Sequence, residues 1–354
     1  MTTTQHEVAL LRLIAQRLAG PGLANATAAV RWLTAVQGQD HHGVLASVAL
    51  RTAERTRHGV EQALNAGELF KSWPMRGTLH LVVAEDLPWM LRLMTPRVIV
   101  RAAARRAGLG LDSPALEQAR AVAEDTLAGG HRITRQDLLA AWDKAGLATA
   151  NQRGYHMLFH LAQQGVLCFG PVRDRAQQVV LVEEWIPNPR QLAREEALGE
   201  LAWRYFASHG PTTVKDFIRW TGLVAADARA GLTLARPRLA SIDVEGVEHL
   251  MDPQTPALLE TFRSEARSVF LLPGFDELIL GYQDRSVTLP TPHADLVVPG
   301  RNGVFRPTVL SDGHVVGTWQ HTGRGAKQTI TATPFTAFSQ AVADAIPRVY
   351  ADLP

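Results

Sequence analysis

Between Ala193 and Met251 the chain is punctuated at intervals that leave it little choice of fold. An amphipathic run from Ala193 to Ser208 meets Gly210-Pro211. Glycine leaves a helix cheaply and proline brings no N–H to continue one, so a break is expected there. Thr212 then reads as the N-cap of a short helix reaching Trp220, Gly222 ends it, and Ala225 to Leu234 supplies a third helix. Leu239 to Val244 and Val247 to Met251 read as strands about a Glu245-Gly246 turn. Three helices and a hairpin within about 60 residues is the order of a winged-helix unit, which lays one helix in the major groove of DNA.

The same order recurs upstream. Thr134, with Asp137 three residues on, caps a helix to about Lys144 that Gly146 ends; Gln152 to Gln164 follows. Val166 to Phe169 and Gln178 to Val182 read as the strands of a wing, and Pro187-Asn188-Pro189 as a rigid linker. The first segment offers helices over Val8 to Leu18, from the Asn25 cap through Ala35, and over Val60 to Phe70, then a strand at Thr78 to Val83. In the final stretch the pattern turns β-rich, with strands expected at Val269 to Leu272, Glu277 to Leu280, Gly303 to Leu310 and His314 to Gln320. Asp312-Gly313 suits a hairpin turn, and a last helix from Thr336 to Ile346 should stop at Pro347. The expected fold is α+β. Three tandem winged-helix units (1–130, 131–190 and 191–262) surround a concave DNA-binding face, and a small β-rich domain with a terminal helix (263–354) follows.

Composition excludes several classes. No apolar run approaches the roughly 18 residues that span a bilayer, and the polar start lacks the pattern of a secretory signal. The single cysteine, Cys168, rules out an intrachain disulfide and a cysteine-based zinc site, and fits a cytoplasmic protein. Net charge is only +2 across 354 residues, so any affinity for phosphate must come from clustering. Arg97, Arg101, Arg105 and Arg106 cluster in one expected helix opened by Pro96, which reads either as a phosphate-facing surface or as a solvated face.

Four constellations carry possible chemistry. Gln37-Gly38-Gln39-Asp40 follows a helix; in an extended segment two amides spaced by one residue point the same way, offering acceptors and donors without a titrating group. Its plainer reading is loop polarity. Arg76, in Met75 to His80, suits either a phosphate clamp or a structural ion pair. His156 and His160 share a helix face, but lack a convincingly placed third ligand, so DNA contact or an interior role is preferred over metal. Pro299-Gly300-Arg301-Asn302-Gly303, between apolar flanks, reads as a hairpin tip over 297–305 that enters a DNA groove, or as an ordinary turn. Neither a phosphate-binding GxxxxGK[ST] loop nor a GxSxG nucleophile turn is present.

Four segments together resemble a known family: Gln37-Gly38-Gln39, Arg76-Gly77-Thr78-Leu79-His80, Leu272-Pro273-Gly274-Phe275-Asp276-Glu277, and Arg306-Pro307-Thr308-Val309 through Gly317-Thr318-Trp319. The chain is similar to the winged-helix DNA glycosylases that release bulky N7-alkylated purines and unhook interstrand crosslinks, including those giving self-resistance to alkylating antibiotics such as azinomycin. The resemblance implies that Gln37 and Gln39 are catalytic and that a hairpin, placed at 297–305, probes the duplex. Base release is expected to be monofunctional, because no lysine sits in an obvious helix-hairpin-helix setting to support lyase chemistry; no cofactor and no metal are expected. The expected partner is double-stranded DNA carrying alkylated or crosslinked purines, and three units plus a β-domain fit a monomer. Candidate DNA contacts are Arg76, His293, Arg301, Asn302 and Arg306. The family places an aliphatic residue between its two polar ones; Gly38 departs from that pattern. The competing reading is a winged-helix regulator that binds an operator without catalysis.

Overall fold

The computed structural model describes residues 4–173, 176–301, 303–323 and 328–354. Asn302 lies outside them, as does the side chain of Arg301. Contacts divide the chain into two compact units, Met1–Val60 with Leu198–Pro354, and Glu61–Ala197. Helix and sheet are mixed in both.

Within Glu61–Ala197 an antiparallel sheet runs in the order Thr78–Val83, Leu69–Met75, Leu167–Arg173, Ala176–Leu181, Ile133–Thr134. The strand Leu69–Met75 corrects the expected helix to Phe70. The helix stops at Asn65, Gly67 takes φ 73°, and the following residues are buried along their whole length. Arg76 and Gly77, both at positive φ (54° and 74°), make the tight turn into Thr78. Thr134 and Asp137 form the expected reciprocal cap on Arg135–Lys144. Trp73, Trp142, Met157, Leu158 and Leu161 lie in this unit's core, where the Trp142 indole N–H reaches Ala119 O at 2.9 Å. The arginine-rich stretch is not one helix: Pro96–Arg101 and Ala103–Gly108 meet at Ala102, and Arg106 turns inward and is buried.

In the other unit, helix Gln5–Ala15 packs against Thr255–Ala266 around Leu10, Ile14 and Leu259. The Val214–Thr221 helix is capped by Thr213 rather than Thr212; Asp216 returns the bond, and Gly222 closes the helix at φ 72°. Ala225–Ala235 follows, then the hairpin Ala240–Val244 with Val247–Met251, whose turn residues Glu245 and Gly246 both have positive φ. A second sheet runs Thr329–Pro334, His314–Thr322, Thr308–Ser311, Val269–Leu272. Helix Gln340–Ala351 covers it through Val342, Ile346, Trp319 and Leu271. Pro347 sits inside that helix instead of ending it. Val349 and Tyr350, one turn beyond, pack on the same cluster and offset the lost backbone bond.

Two strand expectations fail nearby. Glu277–Leu280 is a helical turn, because Asp276 Oδ1 caps the Leu278 N–H at 2.9 Å. Residues 303–307 are not strand; pairing begins at Thr308. The expected 297–305 hairpin is instead a loop of helical turns, Ala294–Val297 and Pro299–Arg301. Its neck is closed by Arg306 N–H donating to Val297 O at 3.0 Å. Pro299 has no N–H for a ladder, and Gly300 turns the backbone at φ 56°, so two paired strands cannot meet there. The long hairpin of this region joins His314–Thr322 to Thr329–Pro334.

Candidate active site

Helix Ala26–Leu33, capped by Asn25 as expected, ends at Thr34, whose φ of 71° is rare for a β-branched residue. That bend releases the chain into a short extended stretch, Val36–Gln37, before Asp40 opens helix His41–Ala49. The two glutamines therefore stand between helices, and alternation sends both side chains the same way. Gln37 Nε2 donates to Gln39 Oε1 at 2.6 Å. Gln37 is buried (6% exposed) while Gln39 is exposed, so one amide is anchored and holds the other at the surface. A cleft of about 200 Å³ is lined by Asp40, the residue after Gln39, with His42, Arg57, Trp319, Gln320 and His321 among others; neither glutamine lines it. Burial, with the Arg57 charge, lowers His321 below the usual imidazole value.

Beneath the glutamines lies the segment Leu272 to Glu277. Phe275 adopts φ 61°, a strained conformation for an aromatic residue. The two acidic residues after it serve different partners. Asp276 takes Arg51 in two bonds, Nη1–Oδ2 at 2.8 Å and Nη2–Oδ1 at 2.9 Å, and accepts the Ser47 hydroxyl at 2.6 Å. Arg51 continues to Gln16 Oε1 (2.8 Å), Gln16 Nε2 donates to the Tyr282 hydroxyl (3.0 Å), and that hydroxyl donates to His209 O (2.9 Å). Glu277 faces the site: its Oε1 accepts the Gln37 backbone N–H at 3.2 Å and its Oε2 the Trp220 indole N–H at 3.1 Å. His209, stacked on Tyr205 with ring centroids 4.6 Å apart, brings Nε2 to 3.5 Å from Glu277 Oε2. Burial lowers its basicity against the opposing pull of Glu277. A Cβ on Gly281 would lie 2.5 Å from His209 Cδ2, so this packing requires glycine.

Other candidates fall elsewhere. Arg76, in the Glu61–Ala197 unit, donates from Nη2 to His80 Nε2 (3.2 Å), while His80 Nδ1 donates to Thr78 O (2.8 Å). His293 stacks on Phe335 at 4.6 Å, and exposed Arg306 reaches Leu296 O at 3.4 Å. His156 and His160 lie among Tyr155, Phe159 and Arg106; burial first, then the Arg106 charge, pushes His160 down to about 4. Among the described residues no three His, Cys, Asp or Glu side chains gather as a metal site. Also among them, no helix is long and apolar enough to cross a membrane. Sequence reasoning singled out Asp276 and Glu277 only as part of a motif and passed over Trp220 and His209. An acidic pair inside an apolar stretch was the available signal, since buried charges require partners.

The family model for AlkZ-like DNA glycosylases matches residues 30–353. The chain belongs to that family. As a DNA glycosylase it acts on the bond between a base and its deoxyribose, and the reading as a non-catalytic regulator is set aside. It is 27% identical, over 95% of its own length and 91% of the relative's, to an interstrand DNA cross-link repair glycosylase of Streptomyces sahachiroi. Among solved structures it is similar to the Streptomyces sahachiroi DNA glycosylase AlkZ, with a TM-score of 0.82 and 25% identity, covering 100% of this chain and 96% of that one. In this AlkZ-like glycosylase the glutamine pair and the Asp276-Glu277 support occupy one unit of the chain, joined by the bond from the Gln37 backbone to Glu277.

Proposed function

We propose that this glycosylase hydrolyses the N-glycosidic bond of bulky N7-alkylated guanine in double-stranded DNA, crosslinked guanine included, with Gln37 and Gln39 as its catalytic residues. The observation that carries the proposal is the 2.6 Å bond from buried Gln37 to exposed Gln39. N7 alkylation leaves the base cationic, so cleavage of C1′–N9 releases it neutral and needs no general acid. What develops is positive charge on the sugar, and what arrives is a water whose proton passes to solvent. Gln39 Oε1, polarised by the Gln37 donor, is suited to face C1′, and the Gln37 carbonyl to orient the water. One preorganised dipole of this kind contributes about 2.7–4 kcal/mol, or roughly a hundred- to a thousandfold. That is adequate for an activated base and inadequate for an intact one, which protects ordinary DNA.

The reading includes base release without strand cleavage by a monomer. Arg76, His293 and Arg306 are proposed phosphate contacts. The helix, helix, helix, hairpin order over 194–251, and the capped helix, helix and hairpin over 135–181, support winged-helix units as the DNA-binding elements. The likeness to a crosslink repair glycosylase supports crosslinked guanine as a substrate. The experiment is base release from duplexes carrying 7-methylguanine or a nitrogen-mustard-type crosslink. Gln37→Ala and Gln39→Ala should bind these duplexes and fail to release the base; normal excision by both variants would sink the assignment.

A further inference from the structure

Gln37 is held twice, by its side chain through Gln39 and by its backbone through Glu277. The second hold is unusual. Glu277, Trp220 and His209 are each at most 1% exposed, so the carboxylate meets its partners away from solvent. Oε1 accepts the Gln37 backbone N–H and Oε2 the Trp220 indole N–H. An ionised carboxylate accepts on both oxygens, whereas the isosteric amide accepts on one and donates on the other. Glutamine at this position would leave either the Gln37 N–H or the Trp220 N–H facing a donor. His209 completes the environment. The Ser208 hydroxyl gives its hydrogen to Arg204 O (2.7 Å), so His209 Nδ1, 2.8 Å from that hydroxyl, carries a hydrogen and donates it to Ser208. Its Nε2, which carries no hydrogen in that tautomer, stands 3.5 Å from Glu277 Oε2.

We infer that Glu277 is a positioning residue for base release: by fixing the Gln37 backbone against Trp220, it sets where the glutamine pair meets the deoxyribose. The inference rests on the proposed catalytic role of Gln37 and Gln39. Glu277 touches no reacting atom. It acts through the backbone of a residue whose side-chain direction follows from that backbone, and a misplacement of about 1 Å costs on the order of a hundredfold in rate. Asp276, one residue earlier, accepts from Arg51, Ser47 and the Leu278 N–H and so anchors the segment that presents Glu277.

The test is single-turnover release of 7-methylguanine from a duplex, with duplex affinity and thermal melting measured on the same preparations. Glu277→Gln is expected to slow release about ten- to a hundredfold, with affinity unchanged within twofold. The deciding variant is the double one, Trp220→Phe with Glu277→Gln. Phenylalanine removes the competing N–H, so the glutamine can turn its carbonyl to the Gln37 N–H and its amide to His209 Nε2. The double variant should recover to within about threefold of Trp220→Phe alone, a rescue that general loss of packing does not produce. Wild-type release by Glu277→Gln, alongside inactive Gln37→Ala and Gln39→Ala, overturns this inference and leaves the glutamine assignment standing. A double variant no faster than Glu277→Gln overturns it equally. Active Gln37→Ala and Gln39→Ala overturn the glutamine assignment itself. If Glu277→Gln does not fold, the Gln37 amide proton of the unaltered protein carries the test. It should be slow to exchange and shifted downfield by its carboxylate acceptor, and a rapidly exchanging, unshifted proton overturns the inference.

Discussion

Arg51 and Asp276 meet as a doubly bonded ion pair with neither side chain exposed to solvent, Nη1 to Oδ2 at 2.8 Å and Nη2 to Oδ1 at 2.9 Å. Desolvating both charges offsets much of their attraction, so the pair is not a large source of stability. Breaking it is a different matter, because the survivor is left charged and buried. Asp276→Ala should destabilise the protein by about 3–5 kcal/mol. The check is a urea unfolding curve whose midpoint falls with an unchanged slope.

The glutamine pair yields an activity prediction of another kind. Gln37→Ala and Gln39→Ala should each lower single-turnover release of 7-methylguanine by roughly a hundred- to a thousandfold. Because one side chain supports the other, the double variant should lose far less than the product of the two single losses. A fully multiplicative loss would show that the two amides act independently.

Arg76 tests the proposed DNA contact. A phosphate-binding arginine contributes counterion release, so Arg76→Ala should weaken binding to all duplexes alike and reduce the salt slope, log K against log salt, by about 0.9. A binding isotherm at several salt concentrations gives the slope. An unchanged slope would return Arg76 to a structural role beside His80.

His160 makes stability depend on pH. Its value is depressed from 6.5 to about 4 in the folded protein, chiefly by burial. The unfolded chain therefore takes up a proton between those values that the folded one refuses. The stability contribution is complete above about pH 6.5, declines as pH falls, and is gone near pH 4, with an upper bound of about 3 kcal/mol. His160→Phe should flatten that part of the stability–pH profile, measured by urea unfolding at stepped pH.

Gly281 is a steric test. An added methyl would meet His209 Cδ2 at 2.5 Å and Glu277 O at 2.7 Å. Gly281→Ala should cost about 1–3 kcal/mol through overpacking and slow base release as well. A thermal melt and the excision assay on one sample separate the two effects.

Elements bounded by strong local chemistry were legible from sequence. The Thr134–Asp137 cap, the Glu245-Gly246 and Asp312-Gly313 turns and the Gly222 stop all follow from short-range backbone preference. The failures share a different cause. Leu69–Met75, Glu277–Leu280 and the loop around Pro299 were read from apolar content, which does not distinguish a buried strand from a buried helix or a packed loop. In the site, the amide pair was visible because its two members are separated by one residue. Glu277 lies 240 positions from Gln37, and nothing local announces that they touch. Arg301 and Asn302, named as groove contacts, fall where neither side chain is described.

Asp276 and Glu277 are neighbours with opposite duties, one gripping the scaffold and the other steadying the reactive loop. Inserting one residue between Asp276 and Glu277 would pull one of them off its partners, and deleting either removes one of the two grips outright. Folding or turnover would then be lost in a single event. This stretch is thus intolerant of length change, and drift in this enzyme's chain length must be absorbed elsewhere, at surface loops such as the one closed by Val297 and Arg306.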